Sequence, residues 1–263
     1  MELWSAALLG LVQGITEFLP ISSTGHLILA RDIFGISTEN GLAYDAVLQL
    51  ATVLAIIVYF YQDIIKLLQS IIDTRMVHER RLVVGIIIGT VPALIAGYFL
   101  ESYMEALFRD SRLVAGTLIV GAALFVIAEY GARTLNSLQT ISYARLFIIG
   151  CFQALALVPG MSRSGMSIVG GMFVGLSRAD AARYSFLLAV PILVGTGLKK
   201  MFDLESSGAL TTLAEPLMIG SVVAFVSGLL AIHVLLGFVR AYPLTVFAVY
   251  RVLLAVAILF FIV

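Results

Sequence analysis

Long apolar stretches make up most of this chain, and polar breaks interrupt two of them. Six uninterrupted stretches approach the length of about 20 residues that a membrane-spanning helix needs. They cover residues 44–61, 82–100, 113–130, 184–198, 216–238 and 246–263. The pattern predicts six transmembrane helices.

Two further apolar regions, 3–34 and 146–176, are each broken in the middle. The first break contains Pro20 and the letters ISSTG, and the second contains Pro159 and the letters GMSRSG. Proline disrupts a helix interior, and the resulting halves are too short to span a membrane. Irregular backbone at membrane depth is tolerated only where it faces protein or a water-filled cavity. We therefore predict two re-entrant helical hairpins and about ten helices in an all-α integral membrane protein.

The two breaks also resemble each other. QGITEFLPISSTGH overlays on QALALVPGMSRSGM at a constant offset of 140 positions (153 − 13). The overlay pairs Gln13 with Gln153, Ser22 with Ser162 and Gly25 with Gly165. Three apolar stretches follow each break, which predicts repeats over 1–130 and 141–263 within a single membrane domain, 1–263. Because an odd number of spans separates the hairpins, the repeats are inverted, and such repeats bring their polar breaks together near the membrane midplane.

Composition supports the membrane assignment. The chain is 61% hydrophobic and 12% charged, whereas soluble domains are about 45–50% apolar and about 25% charged. Its 16 basic and 16 acidic residues cancel, so we expect no nucleic-acid partner. A single cysteine, Cys151, excludes an intramolecular disulfide. The N-terminus lacks the basic segment of a signal peptide, and we expect it to be retained.

Basic residues predict the orientation. If the loop after residue 61 is cytoplasmic, the cytoplasmic loops carry nine basic residues and the outside loops carry five. The five are Arg31, Arg109, Arg112, Lys199 and Lys200. This excess follows the positive-inside rule. The first hairpin then enters from outside and the second from the cytoplasm.

The first break offers a candidate metal or catalytic site. Gln13 and Glu17 are four residues apart and share one helix face. Their oxygens are the ligand type that Mg²⁺ and Ca²⁺ prefer, although a polar contact between helices is the alternative. Ionisable groups within the membrane are costly and mark functional sites by default. The other charges within or beside apolar spans are Glu2, Asp45, Glu129 and Arg251.

The second break suggests phosphate binding. Arg163 lies among small and hydroxyl residues just before a helix, where backbone N–H groups attract anions. A guanidinium suits phosphate oxygens. Helix capping by Ser and Gly alone would not explain why an arginine is present. The first break precedes a helix in the same way. The predicted substrate-binding residues are Ser22, Thr24, Gly25, Ser162, Ser164 and Ser167.

Ser23 and His26 add candidate catalysts. They are three residues apart, so a nucleophile and its base can meet across one helical turn. His26 is also a candidate for direct attack on phosphorus. The spacing leaves both roles open.

The two breaks together resemble the motifs of a known family. QGITEFLPISSTGH and PGMSRSGMS are similar to the two motifs of the bacitracin-resistance type of undecaprenyl-diphosphatase. The segments GCFQALALVPG, FLLAVP and YR extend the similarity along the whole chain. The resemblance implies a bacterial plasma-membrane enzyme that hydrolyses undecaprenyl diphosphate, recycles the lipid carrier of cell-wall synthesis and confers bacitracin resistance.

The resemblance also implies roles for single residues. Glu17 would be the acidic site residue, Ser23 the candidate nucleophile, His26 its partner or rival, and Arg163 a phosphate ligand helped by Ser162 and Thr24. It implies a divalent cation, Mg²⁺ or Ca²⁺, and a site open to the outside. Many members carry Glu where this chain has Gln13, which weakens the expectation that two carboxylates bind the metal.

Two other functions fit parts of the sequence. Transporters and lipid flippases also use inverted repeats with broken helices. Phosphatases of the type-2 phosphatidic-acid class share short TGH-like and SR elements, but the context of His78 and His233 does not match that class. The oligomeric state stays open, with a homodimer as one option.

Overall fold

The computed structural model describes residues 1–37, 41–107 and 110–262, so Arg109 and Val263 lie outside the described residues. Over these ranges the chain forms eleven helices and no strand. They are α1 (Leu3–Phe18), α2 (Ser23–Phe34), α3 (Gly41–Tyr59), α4 (Tyr61–Ile72), α5 (Val77–Leu107), α6 (Ser111–Gly131), α7 (Tyr143–Leu155), α8 (Arg163–Phe173), α9 (Arg178–Ser206), α10 (Ala209–Ala241) and α11 (Thr245–Phe261). The all-α prediction is confirmed.

Five of the described helices are long and apolar enough to cross a membrane: α3, α5, α6, α9 and α10. α11 covers most of the sixth predicted span but has 17 residues, below the length of the other five. Large apolar side chains such as Tyr98, Phe99 and Phe260 point outward, as lipid-facing residues do. The chain is therefore a multi-pass helical membrane protein.

The helix count differs from the predicted ten because the chain turns at Phe60. α3 ends at Tyr59, and residues 61–72 form the separate, strongly amphipathic helix α4. Its outward residues, among them Ile65, Leu68 and Ile72, lie along one side. Asp63 on the same helix pairs with Arg183 of α9. The sequence pattern predicted that this segment is part of the loop that follows the span 44–61, so α4 is an additional helix.

Both predicted breaks interrupt helices. α1 and α2 are separated by residues 19–22, and α7 and α8 by residues 156–162. Ser22 and Ser162, the residues just before α2 and α8, have positive φ angles of 72° and 70°. They are the only non-glycine residues with positive φ in the described ranges. Such strained backbone is retained mainly where the surroundings or the function require it.

Glycines bring the broken helices close to long ones. A Cβ at Gly10 of α1 would lie 2.2 Å from the carbonyl oxygen of Gly220 in α10. A Cβ at Gly150 of α7 would lie 2.2 Å from the carbonyl oxygen of Gly89 in α5. Small residues allow such close backbone approach between membrane helices. This packing holds α1 against α10 and α7 against α5, upstream of the two breaks.

Candidate active site

The polar residues near the two breaks are arranged around the carboxylate of Glu17. It lies at the end of α1, and its side chain is 4% exposed. Its Oε2 accepts hydrogen bonds from Gln13 Nε2 at 2.7 Å and from Ser23 Oγ at 3.1 Å. Its Oε1 forms an ion pair with Nη2 of Arg163 at the start of α8. Residues of the first break and the second break therefore meet at one carboxylate.

The two serine caps hold the starts of α2 and α8 in the same way. Ser22 Oγ accepts a hydrogen bond from the N–H of Gly25 at 3.3 Å, and Ser162 Oγ accepts one from Gly165 at 3.2 Å. Each cap satisfies a backbone donor that the first turn of a helix leaves unpaired. The remaining N–H groups of both first turns carry the positive end of a helix dipole. Thr24 lies in the first turn of α2 and is partly exposed.

Ser164 links the second break to its neighbours. Its Oγ donates to the carbonyl oxygen of Leu19 at 3.4 Å and lies 3.3 Å from Ser162 Oγ. Ser185 of α9 donates to the carbonyl oxygen of Ser164 at 3.4 Å. Ser167, one turn further along α8, is fully buried, and its hydroxyl has no hydrogen-bond partner in the described part of the chain.

His26 does not bond to Ser23, whose hydroxyl donates to Glu17 instead. The ring Nδ1 of His26 lies 2.7 Å from the carbonyl oxygen of Ser22, and Nε2 lies 2.8 Å from the hydroxyl of Tyr250 in α11. Both residues lie in α2, but Ser23 is its first residue, and its hydroxyl points toward Glu17 near the end of α1.

Arg251 of α11 is a residue whose role the sequence did not predict. It is fully buried, and its guanidinium donates to five backbone carbonyl groups. These belong to Pro20 of the first break, Gly160 and Met161 of the second, and Thr117 and Leu118 of α6. A charge within an apolar span did indicate that Arg251 is important. Its partners could not be predicted, because backbone carbonyl groups are present at every residue. Arg251 thus ties both breaks to α6.

The other membrane charges that the sequence marked lie in contacts away from the breaks. Asp45 forms a two-bond ion pair with Arg31, at 2.7 and 2.8 Å. Glu129 pairs with Arg178 and also accepts the N–H of Leu244 at 3.0 Å. These contacts join α2 to α3 and α6 to α9, and we interpret them as structural.

The donors around Glu17 limit how a metal ion could bind. No group of three or more His, Cys, Asp or Glu side chains is placed to bind a metal within the ranges that the structure describes. The Oε1 of Gln13 is buried beside Glu17 and has no hydrogen-bond partner among the residues that the structure describes. Mg²⁺ often takes one or two protein oxygens and completes its shell with substrate phosphates and water. The donors fit a cation that binds together with a phosphate, not one enclosed by protein alone.

A small cavity borders the ion pair on the side of α3 and α9. Its volume is about 10 Å³, and its polar lining consists of Glu17, Arg163, Ser164 and Ser185. A cavity of roughly 10–15 Å³ with several polar partners accommodates one water molecule. The site therefore has room for a single water next to its carboxylate.

These contacts define the class of protein: a multi-pass helical membrane protein with a buried polar site at two interrupted helices. The chain belongs to the family described as bacitracin resistance protein BacA, whose model matches residues 6–257.

Curated relatives share this assignment over nearly the whole chain. An undecaprenyl-diphosphatase of Myxococcus xanthus is 42% identical over 268 residues, covering 98% of this chain and 89% of the relative. Relatives with the same name from Trichlorobacter lovleyi and Methanosphaera stadtmanae are 42% and 38% identical. They cover 96% and 97% of this chain, and 94% and 96% of their own lengths. The resemblance stated from the motifs is confirmed.

Proposed function

We propose that this protein hydrolyses undecaprenyl diphosphate to undecaprenyl phosphate and inorganic phosphate in the bacterial plasma membrane. This reaction would recycle the lipid carrier for cell-wall synthesis and confer bacitracin resistance. Membership of the BacA family and the names of the relatives support the proposal. The observation that carries it in this chain is the carboxylate of Glu17, which contacts both Ser23 and Arg163.

Glu17 and Ser23 would perform the first step. The hydrogen bond from Ser23 Oγ to Glu17 Oε2 places a base beside a nucleophile, which is the arrangement that activates serine. Ser23 Oγ attacks the terminal phosphorus, the anhydride P–O bond breaks, and undecaprenyl phosphate leaves. Glu17 accepts the serine proton and passes it to the leaving phosphate or to water.

Water would complete the reaction. A water molecule attacks the phosphoserine, its oxygen forms a new bond to phosphorus, and the Ser23 Oγ–P bond breaks to release inorganic phosphate. Glu17 accepts a proton from this water, and Ser23 regains one. The cavity beside Glu17 and Arg163 is large enough to hold such a water.

The two helix starts would bind the phosphates. Arg163 exchanges part of its ion pair with Glu17 for phosphate oxygens, to which a guanidinium can donate two parallel bonds. The first-turn N–H groups of α2 and α8, with Ser22, Thr24, Gly25, Ser162 and Ser164, supply further donors. Fixed donors of this kind stabilise the charge that develops in phosphoryl transfer. Ser167 lies deeper and would act through the packing of α8.

A divalent cation, Mg²⁺ or Ca²⁺, is part of the proposal. Glu17 and the Oε1 of Gln13, which has no partner in the described ranges, would hold it, and it would neutralise phosphate charge.

We also propose that the two halves are inverted repeats and that the broken helix pairs are re-entrant hairpins. Gly10 and Gly150 support the repeat, because each allows close packing on a long helix and they differ by the same 140 positions as the breaks. Equal caps and positive φ at Ser22 and Ser162 support it further. The distribution of basic residues favours a site reached from the outside.

Phosphate release by purified protein tests the function. Wild type is assayed with undecaprenyl diphosphate and a shorter isoprenoid diphosphate, with and without chelator. Glu17→Gln and Ser23→Ala should each lower kcat by about 100-fold or more. The exposed controls Glu215→Gln and Ser206→Ala should leave it unchanged. A wild type that releases no phosphate contradicts the proposal and favours a transporter.

Trapping the intermediate tests the nucleophile. Phosphoserine at Ser23 is the expected product of acid quenching after substrate addition. Phosphohistidine at His26 would instead show that the imidazole attacks phosphorus.

A further inference from the structure

We propose that Tyr250 is a positioning residue of this reaction, whose hydroxyl holds His26 in one tautomer and one orientation at the site. This inference rests on the proposed hydrolase function. Neither the motif pattern nor the names of the relatives assign a role to this tyrosine.

The contacts of His26 determine where its proton lies. Nδ1 is 2.7 Å from the carbonyl oxygen of Ser22, and a carbonyl oxygen can only accept a hydrogen bond. The neutral ring must therefore carry its proton on Nδ1. Nε2 is left as an acceptor, and the hydroxyl of Tyr250 at 2.8 Å is its donor.

The two rings are also aligned. Their planes differ by 6°, and their centroids are 5.5 Å apart. Because the tyrosine fixes both the plane of the imidazole and the direction of its Nε2 lone pair, it restricts the ring to one rotamer. Nε2 is consequently the only ring atom with a lone pair. His26 would use this atom either to accept a proton during phosphoryl transfer or, in the rival mechanism, to attack phosphorus.

Tyr250 itself is fixed relative to the breaks by the next residue. Arg251 donates to the carbonyl oxygens of Pro20 and Met161, one from each break. α11 is therefore anchored to the same backbone that carries Ser22 and Arg163. The tyrosine side chain is 42% exposed, so its substitution does not open a hole in the core.

The chain contains a second tyrosine–histidine pair that serves as a matched control. The hydroxyl of Tyr59 in α3 lies 3.1 Å from Nδ1 of His233 in α10. This pair makes a similar contact, and neither residue belongs to the proposed site. Removing each hydroxyl separately distinguishes positioning of His26 from a general effect of losing a tyrosine hydroxyl.

The test compares Tyr250→Phe with Tyr59→Phe by two measurements. The first is kcat and KM for phosphate release. The second is the rate of diethylpyrocarbonate acylation at each histidine, resolved by mass spectrometry. Phenylalanine keeps the stacked ring but leaves Nε2 of His26 without its donor. We expect Tyr250→Phe to lower kcat about three- to tenfold, the value of one hydrogen bond, with KM within about twofold of wild type.

The acylation rates make the test specific. In Tyr250→Phe, His26 should be acylated about threefold faster than in wild type, because the Nε2 lone pair is no longer occupied by the tyrosine hydroxyl. The acylation rates of His78 and His233 should not change. Tyr59→Phe should alter His233 alone and leave kcat unchanged.

An unchanged His26 acylation rate or an unchanged kcat in Tyr250→Phe overturns the inference. Tyr250→Leu, which removes the ring as well, should lose more activity than Tyr250→Phe, and equal losses would also contradict it. A wild type without phosphatase activity would refute the proposed function, whereas the acylation rates would still report whether Tyr250 holds His26.

Discussion

Replacing Arg251 by methionine tests how the two breaks are held together. The guanidinium makes three close bonds, at 2.9, 3.0 and 3.2 Å, to the carbonyl oxygens of Gly160, Met161 and Leu118. A buried carbonyl group left without a partner costs about 1–3 kcal/mol, so the three lost bonds amount to about 3–9 kcal/mol. Methionine also avoids the desolvation penalty of a buried charge, which stabilises the variant by several kcal/mol in the opposite direction. We expect a net loss of about 2–4 kcal/mol.

The loss should appear in both stability and activity. For a chain of this size, about 2–4 kcal/mol corresponds to a fall in Tm of roughly 5–15 °C. Because the breaks carry Glu17 and Arg163, their displacement by about 1 Å would lower kcat about 100-fold. Thermal unfolding in detergent and phosphate release measure the two effects.

Two variants sharpen the test. Arg251→Lys keeps the charge but offers a single nitrogen in place of the planar fork, so it should not restore activity. Arg240→Met removes an exposed arginine of α10 and should behave as wild type. Wild-type Tm and kcat in Arg251→Met would refute the reasoning.

Two further variants test packing and metal binding. Gly150→Ala places a Cβ against the backbone of α5 and should cost about 1–3 kcal/mol of stability by thermal unfolding, whereas Gly116→Ala, which meets no atom within 4 Å, should cost nothing. Equal Tm values for the two variants would contradict the packing described. Gln13→Glu adds a second carboxylate beside Glu17 and should lower the Mg²⁺ concentration that half-activates phosphate release, because hard cations favour charged oxygen ligands. An unchanged or higher requirement would contradict binding of the cation at this pair.

The sequence predicted the breaks well because they depend on local chemistry. Pro20 and Pro159 lie between helices, and the Ser-Gly runs cap and begin the helices that follow, so the combination marks each break. Proline alone is a weaker signal, because Pro92 and Pro191 lie inside α5 and α9.

The site could be predicted only in part. The contact between Glu17 and Arg163 depends on how two distant segments pack, and the overlay of the repeats was the only signal for it.

Three further features of the structure could not be predicted from the pattern of residue types along the chain. The acceptors of Arg251 are backbone carbonyl groups, which every residue possesses. The bond from Ser23 to Glu17 depends on the turn at residues 19–22, whereas the three-residue spacing suggested a contact with His26. α4 was not predicted because it begins where the apolar stretch 44–61 ends and is amphipathic, so its residues were interpreted as a loop.

The most direct test of the central claim is a double-mutant cycle across the two breaks. Phosphate release is measured for wild type, Glu17→Gln, Arg163→Lys and the double variant, with Tm recorded for each. If the two residues form one site, the double variant should be at least about tenfold more active than the product of the single losses predicts. Losses that simply multiply would mean that Glu17 and Arg163 act independently, and would contradict a single site built from both breaks.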